Sequence, residues 1–566
     1  MKPKTKEQAK KPGYLQALSL LALVISCILV YSLSLSNGIL NWDDNKYLFE
    51  NPYLSDFSLK GIRAVFSSFY MGNYHPLTTL SWMIDYAMAG FKPGWYHFSN
   101  LFLHTFNTIL VFFLVKRLFK DHWTAFLTAL LFAFHPMHVE SVAWISERKD
   151  VLYAFFFLCS LISYLGFNES RKRSSYIWSL LFFLLALLSK SAAISLAPVL
   201  LLFDYFLQRR FSWQTIYEKI PFFFLAITFG IIALSSQGIA MDESFAPHFP
   251  IWQRFFIVCY NLDFYLLSFF VPAILSPLHP YPMVPGSSLP VLFWLAPFIL
   301  FTIGIAIYFL KKYRQLLVFG LLFFVLTIAM VLQFIPVGRA IVAERYTYLP
   351  YIGLSVILVV FVLKWARSKS SAAGFYRFVP LGILIAGLIA FAGISNARVT
   401  VWKDSNSLFS DIIKKYPNDA WAYYNRGLTR FYANDNDGAI EDYTQSILLK
   451  PDNVVAWYNR SLAYVNKQDF PHVINDLDHA IELKPDYLDA LKNRGNAKAS
   501  QKDYLGSIID YSSALKIHPA DTMVLVNRSL SYYFLNDLEK ACADLTEAKR
   551  LGSKKAVGMS RDICKN

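Results

Sequence analysis

Charge is scarce in this chain. Only 16% of its 566 residues are charged, against roughly a quarter in an ordinary soluble domain, which argues against a simple soluble enzyme. The scarcity is not that of a disordered chain, because 55% of the residues are hydrophobic and 17% aromatic. Cysteine is scarcer still. Cys27, Cys159, Cys259, Cys542 and Cys564 show no paired spacing, so neither a disulfide framework nor a zinc motif is expected. Acidic residues number 39 against 54 basic ones, a formal charge of +15. That excess does not form a nucleic-acid stripe. It sits in short loops between apolar runs: Lys2, Lys4, Lys6, Lys10 and Lys11; Lys116, Arg117 and Lys120; Arg171, Lys172 and Arg173; Arg209 and Arg210; Lys311, Lys312 and Arg314; Lys364, Arg367, Lys369 and Arg377. Basic loops alternating with apolar runs report membrane topology. What is abundant fits: 50 Phe, 34 Tyr and a mean hydropathy of +0.37.

Composition changes once. Residues 1–398 are apolar, and 399–566 are polar and rich in Asp and Lys. The expected architecture is all-α, a polytopic membrane domain over 1–398 followed by a soluble domain over 399–566. Candidate spans are 14–36, 97–118, 123–143, 150–167, 176–190, 192–208, 219–236, 291–310, 315–336, 350–366 and 379–396, about 11 in all. The run at 14–36 follows a basic tail and has no small-residue cleavage site, so it reads as a retained anchor. With the N-terminus cytoplasmic, every basic cluster falls inside and the C-terminal domain outside. Segment 254–276 is apolar but carries Arg254, Asn261 and Asp263. It reads as re-entrant or interfacial, tolerated only where protein or water satisfies its polar groups. The longest external loop is the first, 37–96.

The soluble half is a repeat. Prolines 417, 451, 485 and 519 recur at a step of 34, and so do Asn425-Arg426, Asn459-Arg460, Asn493-Arg494 and Asn527-Arg528. Asp442, Asp476, Asp510 and Asp544 follow, with small residues at Ser446, Ala480, Ala514 and Ala548. This is the tetratricopeptide pattern, two antiparallel helices per unit stacked into a solenoid. Repeats are expected at 420–453, 454–487, 488–521 and 522–555, with 399–416 the second helix of a partial one. Asn425, Asn459, Asn493 and Asn527 fall on the first helix of each unit, the concave face. Their amides can both donate and accept, so they could grip an extended polypeptide. They could equally hold neighbouring helices while each Arg pairs with a recurrent Asp.

Costly ionisable residues gather at the external ends of the spans. The first loop carries Asp43 and Asp44, then His75. The outer end of the third span carries His135, His138 and Glu140, and Glu147-Arg148-Lys149-Asp150 follows it. Lys190 ends the fifth span, and Arg345 precedes the tenth. Adjacent carboxylates with cations from later spans suggest a surface site in which an acid serves as base and cations hold an anionic head group. His135 and His138 lie one helical turn apart, yet spacing fixes no third metal ligand, and packed histidines suit the pattern as well. Lys190 could simply snorkel.

Five segments taken in order resemble a known family: WDDNKYLFENPYL at 42–54, HPLTTLSWMIDYAMAGFKPGWYHFSNLFLH at 75–104, FAFHPMHVESVAWISERKDVL at 132–152, LLSKSAAISLAPVLLLFDY at 187–205 and AERYTYLPYIGL at 343–354. With the repeats behind them, they resemble the transmembrane and tetratricopeptide-repeat (TMTC) O-mannosyltransferase-like proteins and their bacterial relatives, of the GT-C fold. His75 departs from the Arg expected there, and four repeats are fewer than animal members carry. The resemblance implies an inverting glycosyltransferase that moves a mannose-like sugar from a polyprenyl-phosphate donor to Ser or Thr hydroxyls of extracytoplasmic proteins. It implies Asp43 and Asp44 as the catalytic pair, with Lys190, Arg345 and Arg148 on the donor phosphate and His75, His135, His138 and Glu140 lining the site. The acceptor would lie as an extended polypeptide on the concave solenoid face, and membrane lipids would surround the spans. No nucleic acid is expected. No metal site is assigned, although a divalent cation bridging Asp43 and Asp44 stays open. The setting implied is a multi-pass protein of a bacterial inner membrane. The alternative is a non-catalytic, membrane-anchored repeat scaffold for envelope complexes.

Overall fold

The computed structural model describes residues 12–240, 249–283, 286–334, 338–368 and 376–564. The basic tail with Lys2, Lys4, Lys6, Lys10 and Lys11, and Lys369, lie outside the described residues. The chain forms two compact units, Met1–Leu408 and Phe409–Asn566. The described residues are predominantly helical, and their one sheet is a two-stranded ribbon.

In the first unit, seven described helices are long and apolar enough to cross a membrane. An eighth appears if His122–Phe134 and Pro136–Ala143, bent by 58° at His135-Pro136, count as one span. The sequence reading of about 11 needs this correction: Arg173–Ser189, Ser191–Phe206 and Tyr351–Ala366 are shorter apolar helices. A 16-residue helix such as Tyr351–Ala366 rises about 24 Å, less than the roughly 30 Å hydrocarbon core. The segment read as re-entrant or interfacial holds one continuous 20-residue helix, Ile251–Phe270, so the chain does not turn back inside that helix, which leaves the interfacial reading. Its polar groups are partly met by protein. The Asn261 amide donates to the Leu332 and Ile341 carbonyls, both at 3.1 Å. The Pro-rich stretch after it supplies His279–Pro280, paired antiparallel with Ala340–Val342. The ribbon packs on buried Tyr265, Phe269 and Tyr351 and delivers Glu344 and Arg345 just beyond its second strand.

Two further features place chemistry. Helices Arg148–Ser170 and Arg173–Ser189 form a tightly packed hairpin. Its open end therefore brings Glu147, Lys149 and Asp150 beside Lys190. The earlier helix Pro93–Phe119 packs alongside Arg148–Ser170, from Tyr96 and Asn100 at that end to Lys116 and Arg117 at the other.

The second unit is the expected solenoid. Paired helices Ala420–Tyr432 and Asn436–Leu449, Val454–Asn466 and Phe470–Leu483, Leu488–Ser500 and Tyr504–Ile517, and Thr522–Phe534 and Leu538–Arg550 are followed by Lys554–Ile563. Each second helix is capped by an Asp whose carboxylate accepts a backbone N–H: Asp435, Asp469, Asp503 and Asp537. Such caps satisfy donors the first turn otherwise leaves open. Between helices the chain turns through left-handed Asn434, Gln468, Lys502 and Asn536. Arg426, Arg460, Arg494 and Arg528 each fork onto Asp442, Asp476, Asp510 and Asp544 through two hydrogen bonds. The Arg-Asp columns are thus the glue within each repeat.

The cysteines correct the sequence reading. Cys542 and Cys564 are disulfide-bonded, with Cα atoms 5.7 Å apart, tying Leu538–Arg550 to the terminal helix. Such bonds persist in oxidising compartments. Protein isolated with a blocking alkylator should therefore carry no label on Cys542 or Cys564 until it is reduced. Peptide mass mapping reads this, and full labelling of both thiols before reduction would contradict it.

Candidate active site

The first loop is shaped by Asp44. Helix Asp44–Leu48 begins directly after Asp43, so the two carboxylates leave the backbone in different directions. Asp44 is fully buried. Its Oδ2 accepts from the Leu40 backbone N–H at 3.0 Å. Its Oδ1 accepts from the Ser146 N–H at 2.9 Å and from the Ser146 hydroxyl. Burial pushes its pKa up to about 7, against the pull of those three donors. Asp44 is a clamp between the first loop and the 145–147 turn.

Asp43 is only half-buried, and its carboxylate makes no capping bond. Burial raises its pKa. The nearby Lys149 ammonium opposes that rise, the Glu147 carboxylate adds to it, and the Arg345 guanidinium and Lys46 oppose it. A partly exposed carboxylate held above its usual range is suited to act as a base.

Glu147 lies at the centre of an ion-pair cluster. Its carboxylate pairs with Lys149 Nζ at 3.2 Å, Lys190 Nζ at 3.6 Å and Arg345 Nε at 3.3 Å. The Glu147 side chain is 1% exposed, whereas Lys149, Lys190 and Arg345 keep 12%, 18% and 18%. The cations therefore rim an opening with the carboxylate as its floor. Each cation has a second support. Lys190 pairs with Asp150. Arg345 is held by Glu140, which accepts from its guanidinium and, at 2.9 Å, from its backbone N–H. Lys149 sits 5.5 Å from the Tyr47 ring centre and Arg345 5.7 Å from Trp144, both cation–π distances.

His75 is buried against Tyr47 and Trp82, ring centres 5.5 and 5.9 Å apart. Burial, helped by Lys149, drives its pKa down to about 3, so it is a neutral imidazole at physiological pH. Its Nε2 is buried with no hydrogen-bond partner. It stands beside the charge cluster as a neutral polar group.

Several expected residues lie elsewhere. Arg148 is not on the cleft. It is fully buried and bonds Asp85 at 2.7 Å, the Tyr96 carbonyl at 2.8 Å and Asn100, so its guanidinium is consumed by the protein. His135 and His138 are packed core histidines. His135 Nε2 meets the Phe269 carbonyl at 3.1 Å and His138 Nδ1 the Phe132 carbonyl at 2.9 Å, amid aromatic rings. Glu140 is fully buried and positions Arg345. The asparagine column also turns inward. Asn459 and Asn493 donate to Tyr424 and Tyr458 of the preceding repeat at 2.9 and 3.0 Å, Asn527 to Asn496 at 3.0 Å, and Asn425 to the Trp421 carbonyl at 2.8 Å. The donor half of the Asn459, Asn493 and Asn527 amides thus staples neighbouring repeats, whereas that of Asn425 stays within its own helix.

A cation bridging Asp43 and Asp44 does not fit, since three protein donors occupy both Asp44 oxygens. No group of three or more His, Cys, Asp or Glu side chains suited to a metal occurs among the described residues. Glu147 and Lys149, rather than Arg148 between them, stand in the cluster with Lys190 and Arg345. The signal was available: neighbours at i and i+2 around a helix start do not share the direction of i+1.

Residues 80–237 match the dolichyl-phosphate-mannose-protein mannosyltransferase family, and residues 422–453 match a tetratricopeptide repeat. The chain is 25% identical over 464 residues to protein O-mannosyl-transferase F38B6.6 of Caenorhabditis elegans, covering 78% of this chain and 64% of that protein. It is 24% identical over 451 residues to protein O-mannosyl-transferase TMTC1 of Homo sapiens, covering 67% and 48%. Among solved structures, a crystal structure of MamA is 22% identical, covering 27% of this chain and 89% of its own, with a TM-score of 0.26. The chain spans about half to two-thirds of the length of these two curated relatives. The resemblance carried by the sequence is borne out in both halves: mannosyltransferase-like in the membrane unit, tetratricopeptide in the solenoid.

Proposed function

We propose that this chain is a membrane protein O-mannosyltransferase that moves a mannose-like sugar from a polyprenyl-phosphate donor to Ser or Thr hydroxyls, with inversion. The observation that carries this reading is the Asp43 carboxylate, free of clamping bonds, beside the cationic rim of Lys149, Lys190 and Arg345. Asp43 is the base. Asp44 holds the loop.

The chemistry balances on these groups. The acceptor oxygen bonds to the anomeric carbon from the face opposite the phosphate. Its proton passes to Asp43. The anomeric C–O bond to phosphate breaks, and its electron pair leaves on the lipid phosphate. A phosphodiester monoanion thereby becomes a monoester dianion while Asp43 loses its negative charge. The gain of charge falls at the cations and the loss falls beside them. Fixed cations stabilise such developing charge without reorganising. Lys149 and Lys190 present ammonium donors, and Arg345 a guanidinium held in place by Glu140.

The Cys542–Cys564 bond supports an oxidising compartment for the solenoid, outside the cytoplasm. Short loops favour a bacterial inner membrane with the N-terminus cytoplasmic. The solenoid presents the acceptor polypeptide, and the amide oxygens of Asn425, Asn459, Asn493 and Asn527 are the groups that column can still offer it.

Purified protein incubated with a panel of polyprenyl-phosphate sugars, with mass spectrometry of co-purifying peptides, tests the reading. A hexose on Ser or Thr that appears only with the mannose donor is expected. No transfer from any donor would leave the anchored scaffold as the better account.

A further inference from the structure

A second cavity lies at the other end of the same hairpin. It has a volume of about 500 Å³ and is lined by Arg117, Ser163, Gly166, Lys172, Ser175 and Trp178, among others. Helix Arg148–Ser170 separates it from the Asp43 cleft, and its 23 residues rise about 35 Å. The two sites therefore stand roughly one bilayer apart.

We propose that this cavity is a head-group site for an anionic phospholipid of the leaflet opposite the Asp43 cleft. Its donors converge. Arg117 gives Nε and one Nη2 N–H to Glu169, at 3.0 and 2.7 Å, and an Nη1 N–H to the Ile162 carbonyl at 3.1 Å. A guanidinium has five N–H groups, so two remain. Gly166 makes the room. A Cβ there would lie 3.3 Å from Arg117 Nη2 and 3.6 Å from Ser175 Oγ. The Ser163 and Ser175 hydroxyls line the cavity and are not fully buried. Lys172, exposed at the turn, adds an ammonium.

The same cavity turns apolar along the hairpin. Trp178 is 53% exposed and stacks on Phe182, ring centres 5.6 Å apart. Ile177 and Leu181 continue an exposed apolar face. Cations and hydroxyls above an interfacial Trp, with an apolar wall below, match a phosphodiester joined to acyl chains better than a free phosphate. Basic pockets of this kind between spans bind anionic head groups, and Trp favours that depth.

The test uses the full-length protein in nanodiscs of phosphatidylcholine with a minor fraction of phosphatidylglycerol, and native mass spectrometry of retained lipid. Wild-type protein should retain phosphatidylglycerol about tenfold over phosphatidylcholine, the preference expected from one strong charge-assisted contact. The double variant Arg117→Gln, Lys172→Gln should lose that preference. Gly166→Leu fills the cavity without removing a charge and should lose it too, whereas Glu169→Gln, which breaks the Arg117–Glu169 pair and leaves both cations in place, should keep it. Soluble glycerol phosphate should not displace the lipid. Unchanged retention in the double variant and in Gly166→Leu, equal retention of the two lipids, or displacement by glycerol phosphate would each overturn the proposal.

Discussion

Asp43→Asn should abolish sugar transfer, by about 10²–10⁴-fold in kcat, in a protein that still folds and inserts. Its carboxylate makes no clamping bond, so an amide of equal size disturbs little. Asp44→Asn should behave differently. Both Asp44 oxygens accept backbone N–H groups. An amide there must point its own NH₂ at a donor, leaving buried groups unmet at a cost of about 1–3 kcal/mol. Its main signature is therefore a lower melting temperature and yield, with activity falling only as the first loop loosens. Thermal melts beside single-turnover transfer separate the two. The pH dependence follows from Asp43. A base acts when ionised, and burial raises the Asp43 pKa. The acid limb of kcat/KM should consequently lie above the ordinary carboxylate value near 4, with the rate falling as pH drops through it. Asp43→Asn should remove that limb from whatever transfer remains.

Lys149→Gln and Lys190→Gln should each lower kcat by about 10²–10³-fold, the usual consequence of removing one donor to a developing oxyanion. Each ammonium faces Glu147 and keeps part of its surface open to the cleft. The charge appears on the phosphate as the bond breaks, so the loss should fall on kcat more than on donor KM. Arg148→Gln makes the contrast. Arg148 is locked to Asp85 away from the cleft, and breaking a buried pair is costly to folding. It should depress stability while protein that does fold keeps its donor kinetics. Equal kinetic losses in all three variants would argue that the cluster is only structural.

Some of this was legible in the sequence, for physical reasons. The solenoid was, because a stacked array must repeat its contacts at one period, and Asn, Arg, Asp, Pro and small residues all kept a step of 34. The carboxylate-and-cation site was legible as a set, because ionisable groups at span ends are costly. Their individual roles were not. Asp43 and Asp44 are neighbours in sequence, yet one is half-buried and the other fully buried, and only the turn carrying Ser146 decides which is clamped. Lys149 and Arg148 separate the same way. The asparagine column was rightly periodic, yet periodicity is equally required of a residue that binds ligand and of one that staples repeats. The Cys542–Cys564 pair shows no spacing motif because it closes across two helices rather than within a loop. The short helices such as Tyr351–Ala366 read as full spans because their apolar run matches the helix in extent, and only the helical rise shows it to be short of the hydrocarbon core.

The measurement closest to the central claim uses a photoreactive polyprenyl-phosphate mannose on wild-type and Asp43→Asn protein, following donor capture and sugar transfer in the same sample. Donor captured at wild-type levels on the segments bearing Lys149, Lys190 and Arg345, with transfer lost, is the predicted result. Transfer at the wild-type rate by the Asp43→Asn protein would contradict it.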